Sequence, residues 1–172
     1  NYLETLLSCI LWQPITSATI ARQYKTILTK YCKETDDSNL AFMDWQGHDF
    51  SMRGMSSPES AITSGMGHLL SFTGTDTIPA IYAHKKYYNA IGLIGASVPA
   101  TEHSVMCMGG KVDELATFRR LISDLYPTGI VSIVSDTWDF WQVLTEYLPK
   151  LKAEILARPV NALGLSKVVI RP

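Results

Sequence analysis

The sequence predicts an α/β fold in which parallel strands alternate with helices, preceded by a helical segment. Three observations carry that expectation. Short β-like runs precede helix-like segments at intervals of roughly 25–35 residues, the pattern of βα units. One run, Gly129-Ile130-Val131-Ser132-Ile133-Val134, is almost continuously apolar, as a strand covered on both faces must be. Polar residues suited to chemistry then gather just after one run after another.

Taken in order, Tyr2–Trp12 is mostly apolar, and Pro14–Lys33 is amphipathic with Ile20, Tyr24, Ile27, Leu28 and Tyr31 on one helical face. Pro14 suits the first turn of that second helix. Glu34–Asn39 is polar and reads as a loop. This gives a helical segment over 1–39 ahead of an α/β part over 40–172. In the latter, Phe42–Phe50 reads as β-like, with a helix from Pro58-Glu59. Leu70–Thr75 precedes a helix over Thr77–Tyr88. Ala90–Val98 precedes a helix over Val112–Leu125, opened by Asp113 and Glu114. Gly129–Ser135 is the clearest strand, followed by a helix near Thr137–Leu148, and Lys167–Arg171 is a last strand. Such a series fits an open doubly wound sheet or part of a β/α barrel, since a complete barrel needs about 250 residues.

Composition narrows the function classes. The 172 residues are 47% hydrophobic and 18% charged, with 15 basic and 16 acidic side chains and a net charge of -1. That is a folding composition without the basic stripe of a nucleic-acid binder. No apolar run approaches the ~20 residues of a membrane span. Three widely spaced cysteines, Cys9, Cys32 and Cys107, argue against a disulfide framework and fit a reducing cytosol, so the expected location is cytoplasmic. The opening lacks a signal-peptide pattern, and the β-branched run ending at Arg171-Pro172 suggests a cut strand. Both ends read as cuts through a larger protein.

The candidate site residues follow the β-like runs. His48-Asp49-Phe50-Ser51-Met52-Arg53-Gly54 follows the first and Gly74-Thr75-Asp76-Thr77 the second. Ser97-Val98-Pro99-Ala100-Thr101-Glu102-His103-Ser104 follows the third, Ser135-Asp136-Thr137 the fourth, and Arg171 ends the fifth. In parallel α/β architectures the C-terminal strand ends open on one face, which carries the ligand site. Arg, Asp, His, Asp and Arg at such ends suit a phosphorylated small molecule. Arg binds phosphate oxygens in bidentate fashion, and His can bind phosphate, take a proton or act as nucleophile.

Each residue also has an ordinary structural reading. A strand-end Arg is more often a solvated ion-pair partner. Asp76 and Asp136 each sit where a helix N-cap or an Asx-turn residue would. His84, beside Lys85-Lys86, reads as surface, and His68 as structural within a helix. Chemistry alone leaves His103 open between a reactive and a structural role. His103 with Cys107 and the Met106-Cys107-Met108 run reads as buried sulfur rather than a metal site, so no protein metal site is expected. Gly65 and Gly67 in a helical stretch read as tight packing.

These segments resemble the nicotinamide phosphoribosyltransferase family. The resemblance is carried by His48-Asp49-Phe50 with Arg53-Gly54, Ser56-Ser57 and Glu59; by Phe72 with Gly74-Thr75-Asp76-Thr77 and Lys85-Lys86-Tyr87-Tyr88; by Ser97-Val98-Pro99-Ala100 with Glu102-His103-Ser104; and by Val134-Ser135-Asp136 and Ile170-Arg171-Pro172. It implies part of a type II phosphoribosyltransferase β/α barrel. It also implies transfer of phosphoribosyl from phosphoribosyl pyrophosphate to nicotinamide, with Mg²⁺ accompanying the diphosphate, ATP as stimulating co-substrate and a homodimer with shared sites. By the family's pattern His103 is the phosphorylated catalytic histidine and Asp136 an acidic residue beside it. Arg53 and Arg171 hold phosphate, Phe50 and Arg53 line the base pocket, and Asp76 accepts from the carboxamide. A carboxylate there predicts nicotinamide over nicotinate. The family places a base-stacking tyrosine ahead of Asn1, and an acidic residue and glycine-rich loops after Pro172. The 172 residues are thus expected to carry about half the pocket and not to catalyse alone. Ser51-Met52, Pro58 and Met106–Gly110 depart from the family pattern. Competing readings are a nicotinate-specific enzyme of the same fold and a non-catalytic protein that binds a phosphorylated ligand.

Overall fold

A computed structural model describes residues 1–172, which form two compact units, Asn1–Ser97 and Val98–Pro172. The expected division at 39–40 falls inside the first. No helix is long and apolar enough to cross a membrane.

The first unit opens with α1, a continuous helix over Tyr2–Thr35. Pro14 lies inside it rather than at the start of a second helix. Proline removes one backbone donor and crowds the preceding turn, yet the helix continues, and a neighbouring helix braces it there. That neighbour is α2, Pro58–His68, whose Ser64 carbonyl accepts a 2.7 Å hydrogen bond from the Ser17 hydroxyl. Gly67 of α2 lies so close that a Cβ on it would sit 2.4 Å from the Pro14 carbonyl oxygen and 2.9 Å from the Ala18 nitrogen. Gly65 allows the same approach on the other side, where a Cβ would meet that of Ala80 at 2.6 Å. Ala80 belongs to α3, Ile78–Tyr88. The two glycines thus let α2 pack between α1 and α3. Ser57 caps α2 by accepting from the Ser60 amide, with Pro58 at its first turn.

His84, expected at the surface, is buried on the inner side of α3 with Ala80 and Ala83. Its Nδ1–H donates to the Met66 carbonyl at 3.3 Å and Tyr88 meets its ring edge-on. Burial lowers its pKa from the ordinary value.

The strands of this unit are far shorter than expected. Phe42–Phe50 forms no long strand: Asp37–Trp45 is 3₁₀ helix, and β1 is only His48–Asp49. β2 is Gly74–Thr75, parallel to β1 with His48 opposite Gly74. Ala90–Val98 contributes a single parallel bridge, Ala96 to Gly74.

In the second unit, β3 (Gly129–Val134) is buried at all six positions. β4 (Ser166–Arg171) runs parallel to it in register from Gly129–Ser166 to Val134–Arg171, and Ala100 bridges Ser132 on the opposite side. β3 is therefore central, which explains its unbroken apolar run, whereas β4 leaves Lys167 and Val169 exposed. Helix α4 (His103–Cys107) follows the Ala100 segment. Helix α5 (Glu114–Arg120) widens into a π turn over Leu121–Leu125 before β3. After β3 come α6 (Phe140–Gln142), a π turn over Val143–Tyr147, α7 (Leu148–Lys150) and α8 (Lys152–Leu156). The core joins Met106, Phe118, Ile122, Val131, Ile133, Val143 and Leu151, all fully buried. Each such side chain contributes roughly 1.5–3 kcal/mol of burial.

Arg158 is a buried clamp in this unit. Its Nη1 donates to the carbonyls of Ile122 and Tyr126, and its Nη2 to that of Gly129. It thereby ties the end of the π turn to the first residue of β3.

Candidate active site

Both units present their chemistry at the C-terminal ends of parallel strands. In the first, the register that sets His48 beside Gly74 and Gly74 beside Ala96 brings three successive strand ends together. The Thr75 amide donates to Ala96 and the Asp76 amide to Asp49, both to carbonyl oxygens. Asp76 leaves β2 with its carboxylate turned to the neighbouring ends. Oδ1 accepts from His48 Nε2 at 2.9 Å and from the Ser97 hydroxyl at 2.6 Å. It is not a helix cap, because α3 begins after Thr77 and the Thr77 amide is taken by Thr75 Oγ1. An ionised carboxylate only accepts, so His48 carries its proton on Nε2.

Phe50 stacks on the His48 ring with centroids 4.3 Å apart. The two rings line a cavity of about 550 Å³ that also touches Trp12, Ile20 and Tyr24 of α1. Arg53 is exposed on a short 3₁₀ turn, Ser51–Gly54. His68 Nε2 donates to the Gly74 carbonyl at 2.9 Å, and burial lowers its pKa. It braces the strand that carries Asp76, in keeping with the structural role read from the sequence.

In the second unit, Thr101 organises the site. Its amide donates to Ser132, its hydroxyl accepts from the Val134 amide, and its carbonyl accepts from Arg171 Nη2. Two residues on, His103 opens α4, and its Nε2 lies 2.9 Å from Asp136 Oδ1. Both side chains remain substantially exposed, at 61% and 43%, so solvent and a ligand can reach them. Asp136 does not cap the helix after β3; that role falls to Asp139, which accepts from the Gln142 amide. With Nε2–H donating to the carboxylate, the His103 Nδ1 lone pair is left available as base or nucleophile. The Ser135 amide donates to the Arg171 carbonyl, so Arg171 ends β4 level with Ser135-Asp136.

The structure therefore joins His103 with Asp136, joins Arg171 to the segment leading into His103, and, separately, joins Asp76 with His48, Ser97 and Phe50. Sequence reasoning passed over His48 and Thr101 individually. The signal for His48 was its place at a strand end like those of the other candidates. No three His, Cys, Asp or Glu residues lie together as a metal cluster.

Comparison with known proteins bears on this arrangement. Residues 45–172 match the nicotinate phosphoribosyltransferase (NAPRTase) family. The chain is 60% identical over 172 residues to a nicotinamide phosphoribosyltransferase of Acinetobacter baylyi, covering 100% of the chain and 34% of that protein. It is 43% identical over 158 residues to one from Mycoplasma genitalium, covering 92% of the chain and 32% of that protein. It is 36% identical over 174 residues to one from Xanthomonas campestris pv. campestris, covering 100% of the chain and 36% of that protein. The chain thus spans about a third of the length of these relatives.

Proposed function

Because the chain belongs to the nicotinate phosphoribosyltransferase family, we propose that it is part of a nicotinamide phosphoribosyltransferase. The reaction breaks the bond between the anomeric carbon of phosphoribosyl pyrophosphate and its pyrophosphate oxygen. It forms a bond from that carbon to the ring nitrogen of nicotinamide, giving nicotinamide mononucleotide and pyrophosphate. In this reading 40–172 is a portion of a type II β/α barrel, 1–39 is the helical segment ahead of it, and the whole enzyme is a cytoplasmic homodimer.

The observation that carries the reading is the His103–Asp136 pair beside the strand end of Arg171. Asp136 holds the imidazole with Nδ1 presented, and ATP supplies the phosphoryl group that His103 takes up. Arg171 and Arg53 supply fixed positive charge for the phosphates, where developing negative charge on the departing pyrophosphate needs it. Asp76 supplies a carboxylate acceptor for the carboxamide N–H, with Phe50 against the pyridine ring. A negative site repels nicotinate's own carboxylate, which supports nicotinamide as the substrate.

The residues fit a magnesium ion that arrives with the diphosphate. Magnesium keeps waters and substrate phosphates and takes one or two carboxylates, and Asp136 is a half-exposed carboxylate at this end. When bound, the ion neutralises diphosphate charge.

The test uses the full-length polypeptide. His103→Ala should abolish ATP-stimulated turnover and acid-labile phosphorylation. Retention of both would remove His103 from the mechanism. Asp76→Ser should erase the preference for nicotinamide over nicotinate, and an unchanged preference would remove Asp76 from base selection.

A further inference from the structure

We infer that His48 and Ser97 form a clamp that orients the Asp76 carboxylate, making His48 a specificity-determining positioning residue. The inference rests on the proposed role of Asp76 in carboxamide recognition. Both donors converge on the same oxygen: His48 Nε2 at 2.9 Å and Ser97 Oγ at 2.6 Å, each to Oδ1. A carboxylate oxygen offers about two acceptor sites. Oδ1 is thus filled by the protein, while Oδ2 receives no hydrogen bond from the chain. The carboxylate is locked in rotation with one oxygen saturated and the other open.

A ligand N–H must therefore meet Oδ2, in a direction the clamp sets. A free carboxylate could rotate to suit either a donor or a water-bridged anion. A locked one rewards a single donor placement and penalises an anion there.

The His48 ring is itself held in place. Its side chain is only 15% exposed, against 39% for Asp76. Phe50 stacks on one face, and the ring edge lies against β2 so closely that a Cβ on Gly74 would sit 2.7 Å from Nδ1. A ring fixed by stacking and by backbone contact holds its Nε2–H at a constant position, and that constancy is what a selectivity device needs.

The test exploits amide side chains of different reach, in the full-length polypeptide. Glutamine can place its amide nitrogen near the Nε2 position; asparagine reaches only the Nδ1 position. His48→Gln should hold the nicotinamide KM within about threefold of wild type, and His48→Asn should raise it about tenfold or more. In His48→Asn the phosphoribosyl pyrophosphate KM should stay within about twofold, and the nicotinamide-over-nicotinate ratio of kcat/KM should fall about tenfold. Matched behaviour of the two variants, or equal rises in both KM values, overturns the clamp. If neither His48 variant folds, Ser97→Ala decides, because Ser97 is exposed and its hydroxyl is the second donor. It should shift the same ratio by about threefold, and an unchanged ratio overturns the clamp. Failure of the underlying reading looks different: wild type itself would then show no preference between the two bases, or Asp76→Ser would keep it.

Discussion

Arg158→Met should cost the chain about 3–5 kcal/mol of folding free energy, without touching a single proposed site residue. Arg158 gives three hydrogen bonds to backbone carbonyls, those of Ile122 (2.6 Å), Tyr126 and Gly129 (2.8 Å). Each carbonyl left without a donor costs roughly 1–3 kcal/mol when dry. The three do not simply add. The Tyr126 bond is only partly buried, so water can replace the guanidinium there, and methionine escapes the expense of burying a cation. The Ile122 and Gly129 carbonyls sit in the buried part of the clamp and account for most of the loss. Lysine keeps the charge but cannot span the carbonyls with a planar fork, so Arg158→Lys should lose about half as much. Urea denaturation followed by far-ultraviolet circular dichroism measures this as a lower midpoint at an unchanged m-value. A methionine variant within about 1 kcal/mol of wild type would show that the clamp is replaceable, refuting the argument.

Two further outcomes follow from packing and burial. Gly67→Ala should destabilise by about 1–3 kcal/mol, because the new Cβ meets backbone atoms of α1 at Pro14 and Ala18 and the helices must separate; an unchanged urea midpoint would contradict the close α1–α2 contact. Glu114 is buried at the start of α5, with Oε1 unpartnered, and burial raises its pKa. A raised acid contributes stability below its unfolded pKa and loses it as pH climbs through the folded value. Glu114→Gln should therefore raise the melting temperature at neutral pH, with the gain shrinking as pH falls toward 4. A pH-independent gain would mean ionisation is not the cause.

The helices were largely legible in the sequence because their signals are local. Ser57-Pro58-Glu59 marks a capped start whatever lies around it, and α2 begins there. Strands lack such marks. Leu40-Ala41-Phe42-Met43 is apolar without a decisive period, and it became 3₁₀ helix once the Asp36 side chain accepted from the Ser38 amide. In Ala90–Val98, Gly92 adopts φ +79°, outside strand geometry, and pairing shrinks to the Ala96 bridge. β3 was legible because it is covered on both faces. The two short strands of the first unit were not, because each is only two residues long.

The candidate site shows the same division more sharply. That polar residues follow each strand can be read along the chain; which nitrogen meets which oxygen cannot. His48 and Asp76 are 28 residues apart, and His103 and Asp136 are 33 apart. Each pair is made by register, His48 beside Gly74 in one unit and Ala100 beside Ser132 in the other. A slip of one residue in either unit would turn every side chain of the slipped strand to the opposite face and dissolve the pair of that unit. The capping reading of Asp76 and Asp136 was sound by local rules, and it lost because both carboxylates found cross-strand partners, while Thr75 took the Thr77 amide and Asp139 capped the helix after β3. His48 was read only as part of its segment, without a role of its own, for the converse reason. Its place at a strand end is its one local mark. Its pairing arises only where the Asp76 carboxylate meets its Nε2 from another strand end, with the Ser97 hydroxyl on the same carboxylate oxygen, and where the Phe50 ring stacks on it from two residues along the chain. A histidine held in this way keeps its Nε2–H at a fixed place, which is why substitutions at position 48 should disturb the setting of the Asp76 carboxylate.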